Sequence, residues 1–253
     1  MVLRLWQTMG VEKRLCDEYK KESLGVERRN HAWLVGVPDP TGHLPPDTVF
    51  IPGMKANQPS EIFTTRSPCY AYEHGRKITT VTEKPKEMAL EDWKWLTHEL
   101  NFGVIIFSNP RPGMKSIPER IANGDLDGDL YLVCWDKTIL SAMKAVALKD
   151  EESDDDGNLS TVPPNENWFS EAQDIIADAG QTNEIGRLTG ILYKSGEKIA
   201  DTSKLILREP DALAFNEAFN QALEFKKHGR PIELPSHLIE KIPSNLRHLV
   251  TPS

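Results

Sequence analysis

The sequence predicts an α+β fold in which a β-dominated barrel or sandwich precedes a mainly helical region. Three observations predict it. Between residues 32 and 136, short β-branched and aromatic runs alternate with turns rich in Pro, Gly and Asp. An acidic run, DEESDDD at 150–156, closes that texture, and the pattern beyond it is helical. The chain of 253 residues, 39% hydrophobic and 27% charged, is long enough to bury a core and ordinary in composition for a globular protein.

The elements follow in order. Residues 1–30, rich in Arg, Lys, Glu and Leu, read as a helical lead-in. AWLVGV and TVFIPG are two apolar runs split by a Pro/Gly/Asp turn, and EIFTTRSPCYAY and KITTVTE carry strand-like residues. EMALEDWKWLTHEL has helix-forming composition, GVIIFS is a further strand candidate, and LYLVCW is the last. Five or six strands with one helix among them give a first domain over 31–148. An acidic linker spans 149–170, because a run of six acids is a solvated spacer. In the helical region, 171–253, SEAQDIIADAG, IADTSKLIL and EPDALAFNEAFNQALEFKKHG are the candidate helices, the last stopped by its glycine.

Composition excludes some classes. No apolar run approaches a membrane span, and the N-terminus lacks the apolar centre of a secretory signal. Cys16, Cys69 and Cys134 form neither a metal-ligand pair nor an even disulfide set, which predicts a reducing, intracellular setting, cytoplasmic or nuclear. The net charge of −8 falls to −2 once the six acids of 150–156 are set aside, so it neither supports nor excludes a polyanionic partner.

Chemistry concentrates in ANGDLDGDLYLVCWD, residues 122–136. On an extended strand Asp125 and Asp129 would lie about 13 Å apart. Magnesium holds its oxygen ligands at ~2.1 Å, so Asp125, Asp127 and Asp129 can share one ion only if the backbone curls. Gly128 permits a tight curl, and Gly124 is expected to do the same on the approach side. Three clustered carboxylates repel one another, and a divalent cation removes that penalty. The spacing therefore argues for a hard-metal site. An EF-hand loop shares the acid spacing but wants glycine and glutamate where Leu130 and Asp136 stand, and wants a helix where LYLVCW follows. The aspartyl-phosphate pattern Asp-x-Asp-Gly matches Asp125, Asp127 and Gly128, yet SIPERIANG before it is polar and turn-like. An ion-free acidic turn is the remaining alternative.

With its context, GDLDGDLYLVCWD resembles the signature of the eukaryotic cell-encoded RNA-dependent RNA polymerases of RNA silencing. In that family an Asp-x-Asp-Gly-Asp loop lies on the second of two double-psi β-barrels, followed by a strand ending in Trp-Asp, here Trp135 and Asp136. LVGVPDPTGHLPPDTVFI, TTRSPCY, GVIIFSNPRPGMKSIPERIANGDLDGD and QALEFKKHGRPIELP are similar to other family segments in the same order, over roughly 31–250. The resemblance implies a double-psi β-barrel, and Asp125, Asp127 and Asp129 as ligands of a catalytic Mg²⁺, with Mn²⁺ a possible substitute. It implies attack of an RNA 3′-hydroxyl on a nucleotide α-phosphate, with a second Mg²⁺ carried by the triphosphate. RNA template, nucleoside triphosphates and a first-barrel segment or subunit would be the partners.

Arg66 is the candidate nucleotide contact, because the similar arginine of the multisubunit polymerases approaches the nucleotide sugar; a strand-end arginine on a carboxylate is its other reading. Arg111, Lys115 and Arg120 form a basic approach that could meet phosphates or simply face solvent. Lys226 and Lys227 fall in the C-terminal motif, as nucleic-acid contacts or helix caps. The sequence departs from the family in three places. Ala122 and Asn123 precede a single glycine, Tyr72, Glu73 and His74 replace Pro-Gly-Asp, and Glu224 replaces an aspartate. The chain is expected to be the second-barrel half alone, since nothing before residue 30 could be the first barrel. Its alternative function is a non-catalytic RNA- or partner-binding remnant.

Overall fold

The computed structural model describes residues 7, 9–15, 30–54, 60–66, 69, 71–100, 103–144, 183–228 and 231–253. Most of the expected lead-in, the acidic linker, the SEAQDIIADAG helix, Cys16 and the side chains of Lys226 and Lys227 lie outside the described residues. The chain divides into two units, Met1–Asp156 and Gly157–Ser253.

The first unit is built on six strands: β1 His31–Pro38, β2 Thr48–Phe50, β3 Glu61–Arg66, β4 Gly75–Thr80, β5 Val104–Phe107 and β6 Leu130–Cys134. They close into a barrel in the order β1-β5-β2-β4-β3-β6, which decides between the two expected architectures. Two pairings are parallel, β1 with β5 and β2 with β4, and the other four are antiparallel. Closure removes the exposed strand edges that a short six-stranded sheet would otherwise present. Alternation along the strands sends Leu34, Val49, Ile62, Ile78, Ile105, Phe107, Tyr131 and Val133 into one buried cluster. Ile117 and Ile121, from the segment leading into the acidic loop, join it.

The outer faces are covered in part. Helix α1, Leu90–Lys94, continues into a π-helical turn, Trp95–Glu99, so the expected helix is present but short. Leu96 from that turn is buried with Leu44, Phe50, Met88 and Ile106, and Trp93 meets Phe50 edge-on at 5.4 Å. Helix α2, Lys137–Ala142, starts where β6 ends. Asp136 caps it, accepting from the Thr138 and Ile139 N–H groups at 2.8 and 3.1 Å, while its second oxygen accepts from Asn30 Nδ2 at 2.9 Å. The Trp-Asp pair thus turns the strand into a helix.

The second unit contains α3, Asn183–Thr202, and α4, Pro210–His228, which pack on one another. An added Cβ at Gly196 would lie 2.7 Å from Asn216 Oδ1, so the contact there is close. IADTSKLIL, expected as a helix, holds only the end of α3 and a 3₁₀ turn at Ile206–Arg208. The rest of α3 lies in a segment whose sequence did not announce it. The expected α4 is present. A parallel pair, β7 Ile232–Leu234 with β8 Val250–Pro252, adds a strand element to the region expected to be mainly helical, and α5, Ser236–Ile239, lies between them in sequence. Among the described residues no helix is long and apolar enough to cross a membrane.

Candidate metal centre

The acidic loop joins Ile121 to β6, and its shape comes from four backbone positions. Ala122, Asn123, Leu126 and Gly128 have φ of 58, 51, 59 and 120°. The curl expected at Gly128 is therefore shared with Leu126, whose side chain packs against the barrel core. Gly124 was expected to curl the approach, yet it is not among the positive-φ residues. Space explains it instead, since a Cβ there would lie 2.2 Å from the Tyr131 hydroxyl and 3.1 Å from the Pro118 carbonyl.

The curl brings the three carboxylates together. Asp125, Asp127 and Asp129 each offer an oxygen within 4.8 Å of the others. Asp125 and Asp127 are exposed, whereas the Asp129 side chain is 8% exposed. The Asp125 N–H donates to Asp129 Oδ2 at 3.3 Å, and the Gly36 N–H of β1 donates to the Asp129 carbonyl at 3.0 Å, fixing the loop to the barrel.

Three carboxylates form an all-oxygen donor set, which suits a hard cation such as Mg²⁺ or Mn²⁺. Around an octahedral Mg²⁺, opposite ligands lie about 4.2 Å apart, so small inward adjustments bring this set onto one ion. The donor set fits.

Arg66, at the end of β3, faces the same loop. Its Nη2 meets Asp129 Oδ1 at 2.6 Å, and its Nη1 donates to the carbonyls of Ala122 and Asn123 at 2.9 and 3.2 Å. The side chain is 24% exposed. Of its two readings from sequence, the structure displays the arginine on a carboxylate.

Arg120 was expected to face phosphates. Its side chain is only 4% exposed; it pairs with Asp47, and its Nε donates to the Ser116 carbonyl at 3.3 Å. Burial corrects that expectation: Arg120 braces the segment that leads into the loop. Arg111 is exposed and reaches the other Asp47 oxygen at 3.0 Å, and Lys115 is half-buried on the same segment.

Sequence reasoning missed Asp47, Gly36 and Tyr131. Asp47 sits in a Pro-rich turn with φ 59°, and nothing local marks it as the partner of arginines more than sixty residues later. A glycine inside the apolar run AWLVGV was the available signal for Gly36, since such glycines mark close approaches. Tyr131 is fully buried beneath the loop, its ring 4.8 Å from that of Phe107, and its hydroxyl has no hydrogen-bond partner. Burial first, and then the charge of Asp129, push its ionisation well above the ordinary phenol range, so it stays protonated.

His74 stands in the turn before β4, where the family pattern has an acid. Desolvation first, and then the charge of Arg76, lower its pKa from 6.5 to about 4; Glu73 opposes this and Arg66 adds to it. Its Nδ1 accepts from the Ala71 N–H at 3.4 Å. A folded-state pKa below the unfolded one means that the unfolded chain binds more protons in between. The contribution of His74 is therefore intact above pH 6.5 and declines as pH falls toward 4. Melting temperatures measured from pH 7 to 4 should drop less steeply in His74→Gln than in the wild type; parallel curves would refute the assignment.

A barrel that presents three carboxylates on one loop, in reach of a common cation, defines a metal-site scaffold. The family model described as "RNA dependent RNA polymerase" matches residues 6–252, and the chain belongs to that family, the eukaryotic RNA-dependent RNA polymerases. It is 24% identical over 132 residues to RNA-dependent RNA polymerase 1 of Arabidopsis thaliana, covering 52% of this chain and 11% of that protein. It is 28% identical over 130 residues to probable RNA-dependent RNA polymerase 2 of Oryza sativa subsp. japonica, covering 51% and 11%. Among solved structures, the RNA-dependent RNA polymerase QDE-1 from Thielavia terrestris matches with TM-score 0.53 and 18% identity, over 90% of this chain and 27% of that one. That likeness concerns the fold. The chain's matches thus span about a tenth of the two plant relatives.

Proposed function

We propose that this chain forms the metal-binding part of the catalytic region of an RNA-directed RNA polymerase acting in RNA silencing or small-RNA production. The observation that carries the reading is the convergence of Asp125, Asp127 and Asp129 on one curled loop, their ligand oxygens within 4.8 Å. The family membership supports it. We read the closed barrel as a double-psi barrel, supported by its two parallel pairings set among antiparallel ones. The unit 31–148 is the barrel domain on this reading, with 149–170 a linker and 171–253 a helical region.

The reaction joins an RNA 3′-oxygen to the α-phosphorus of a nucleoside triphosphate and releases pyrophosphate. Asp125, Asp127 and Asp129 would hold Mg²⁺, which when bound supplies charge neutralisation and a more acidic hydroxyl. The chain's own part is to keep the three carboxylates converged without further rearrangement. Asp125 and Asp127 face outward, where a nucleic-acid end can approach. Arg66, 24% exposed, and Lys115 remain the candidates for nucleotide or RNA contact. The partners are an RNA template, nucleoside triphosphates and a first-barrel segment or subunit, and the setting is intracellular.

The test incubates the chain, alone and mixed with a first-barrel fragment, with single-stranded RNA, nucleotides and Mg²⁺. Template-dependent product that disappears in Asp127→Ala is the expected result. No product under any pairing, with RNA binding intact, would favour the non-catalytic remnant.

A further inference from the structure

Arg66 touches both ends of the acidic loop. One terminal nitrogen, Nη1, serves the carbonyls of Ala122 and Asn123 at the start, and the other, Nη2, meets Asp129 at the finish. Ala122 and Asn123 both hold positive φ, 58 and 51°, a conformation that non-glycine residues adopt at a cost of order 1 kcal/mol or more each. Such a geometry persists only where surrounding contacts over-determine it. Here the contact is a planar guanidinium whose fork can reach a carboxylate and two carbonyls at once.

The alternative supports from below are few. The Tyr131 hydroxyl lies under the same loop, against Gly124, and makes no hydrogen bond. Leu126 anchors the middle of the loop through packing alone. The register places Arg66 opposite Tyr131 on the neighbouring strand β6, so the barrel itself sets where the guanidinium can reach.

We propose that Arg66 is a positioning residue for the metal centre: it clamps the loop from Ala122 to Asp129 into the curl that lets three carboxylates share a cation. The proposal rests on the metal reading above, and it makes a prediction opposite in sign to that of simple charge. A positive group beside a cation site repels the ion, so if Arg66 only neutralised Asp129, its removal would tighten metal binding. If Arg66 holds the curl, removal loosens binding despite the favourable change in charge.

Mn²⁺ is the probe, its affinity for the full chain measured by the electron paramagnetic resonance of the free ion, with melting temperature recorded beside it. Arg66→Met should weaken Mn²⁺ binding about tenfold or more, the range found when groups supporting metal ligands are removed. Arg66→Lys keeps the charge but lacks the fork, and should also bind several-fold more weakly than the wild type. Asp127→Asn serves as the ligand control and should lose most of the affinity. Arg66→Met that binds Mn²⁺ as tightly as the wild type, or more tightly, overturns the clamp while leaving the metal site standing. Should Arg66→Met fail to fold, Arg66→Lys decides, and wild-type affinity in that variant overturns the proposal. A wild-type chain that binds no Mn²⁺, or an Asp127→Asn variant that binds it unchanged, overturns the metal reading and the clamp with it.

Discussion

Gly36→Ala will lower stability by about 3 kcal/mol, through overpacking of a filled core, and the melting temperature by about 6–12 °C for a chain of this size. A Cβ at this position would lie 2.4 Å from Tyr131 Cε2 and 2.8 Å from Leu126 Cδ2. Neither neighbour can step aside freely. The Tyr131 ring is fully buried and set edge-on against Phe107, and Leu126 is held by the acidic loop at φ 59°. Because the Gly36 N–H also donates to the Asp129 carbonyl, displacement should reach the carboxylates, so Mn²⁺ affinity should fall with stability. Combining Gly36→Ala with Tyr131→Leu separates the cause. Each change alone destabilises, but a shorter side chain relieves the clash, so their joint cost should be clearly less than the sum. Strict additivity in thermal unfolding would mean that the ring is not what the methyl meets.

Asp127→Asn should act in opposite directions with and without divalent cations. Without them, it removes like-charge repulsion within a cluster whose oxygens lie within 4.8 Å. Each such pair costs at most about 1 kcal/mol in water and less in physiological salt, so the variant should melt slightly higher than the wild type. With Mg²⁺, the order reverses. An ion that binds only the folded chain stabilises it by mass action, about 2.7 kcal/mol at a hundredfold excess over its dissociation constant. That raises the wild-type melting temperature by about 5–11 °C, and Asp127→Asn should forfeit most of the rise. Exposure of Asp127 keeps the change from disturbing the core. A wild-type melting temperature that stays flat as Mg²⁺ is added would argue against a site formed before nucleotide binds.

The strands and the aspartates were legible because their signals are local. β-branched runs bounded by Pro and Gly mark β1 to β6 within a few residues, and the acid spacing with Gly128 marks the loop. What stayed hidden was set by contacts distant in sequence. Periodicity cannot say that β1 lies between β5 and β6, nor that two pairs run parallel. It also cannot tell which way a basic side chain turns. Arg120 and Arg111 carry the same charge in the same segment, yet one is buried on Asp47 and the other reaches it from the surface. Gly124 illustrates a finer failure. The residue type was right for the site, but the reason was the Tyr131 hydroxyl seven residues later, where torsion had been expected. In the second unit, three-residue strands are too short for any pattern to show.

The place of β1 in the barrel has a consequence for biosynthesis. Its two neighbours, Val104–Phe107 and Leu130–Cys134, emerge from the ribosome long after it does, and the last of them carries the ring closure. Until then Trp33, Leu34 and Val35 have no native strand to pair with, so the nascent segment travels with an open, sticky edge. Joining ends so far apart in sequence makes assembly slow and all-or-none. A chaperone that shields this early strand until Cys134 is clear of the exit tunnel would therefore govern the yield of soluble protein more than any single contact in the finished molecule.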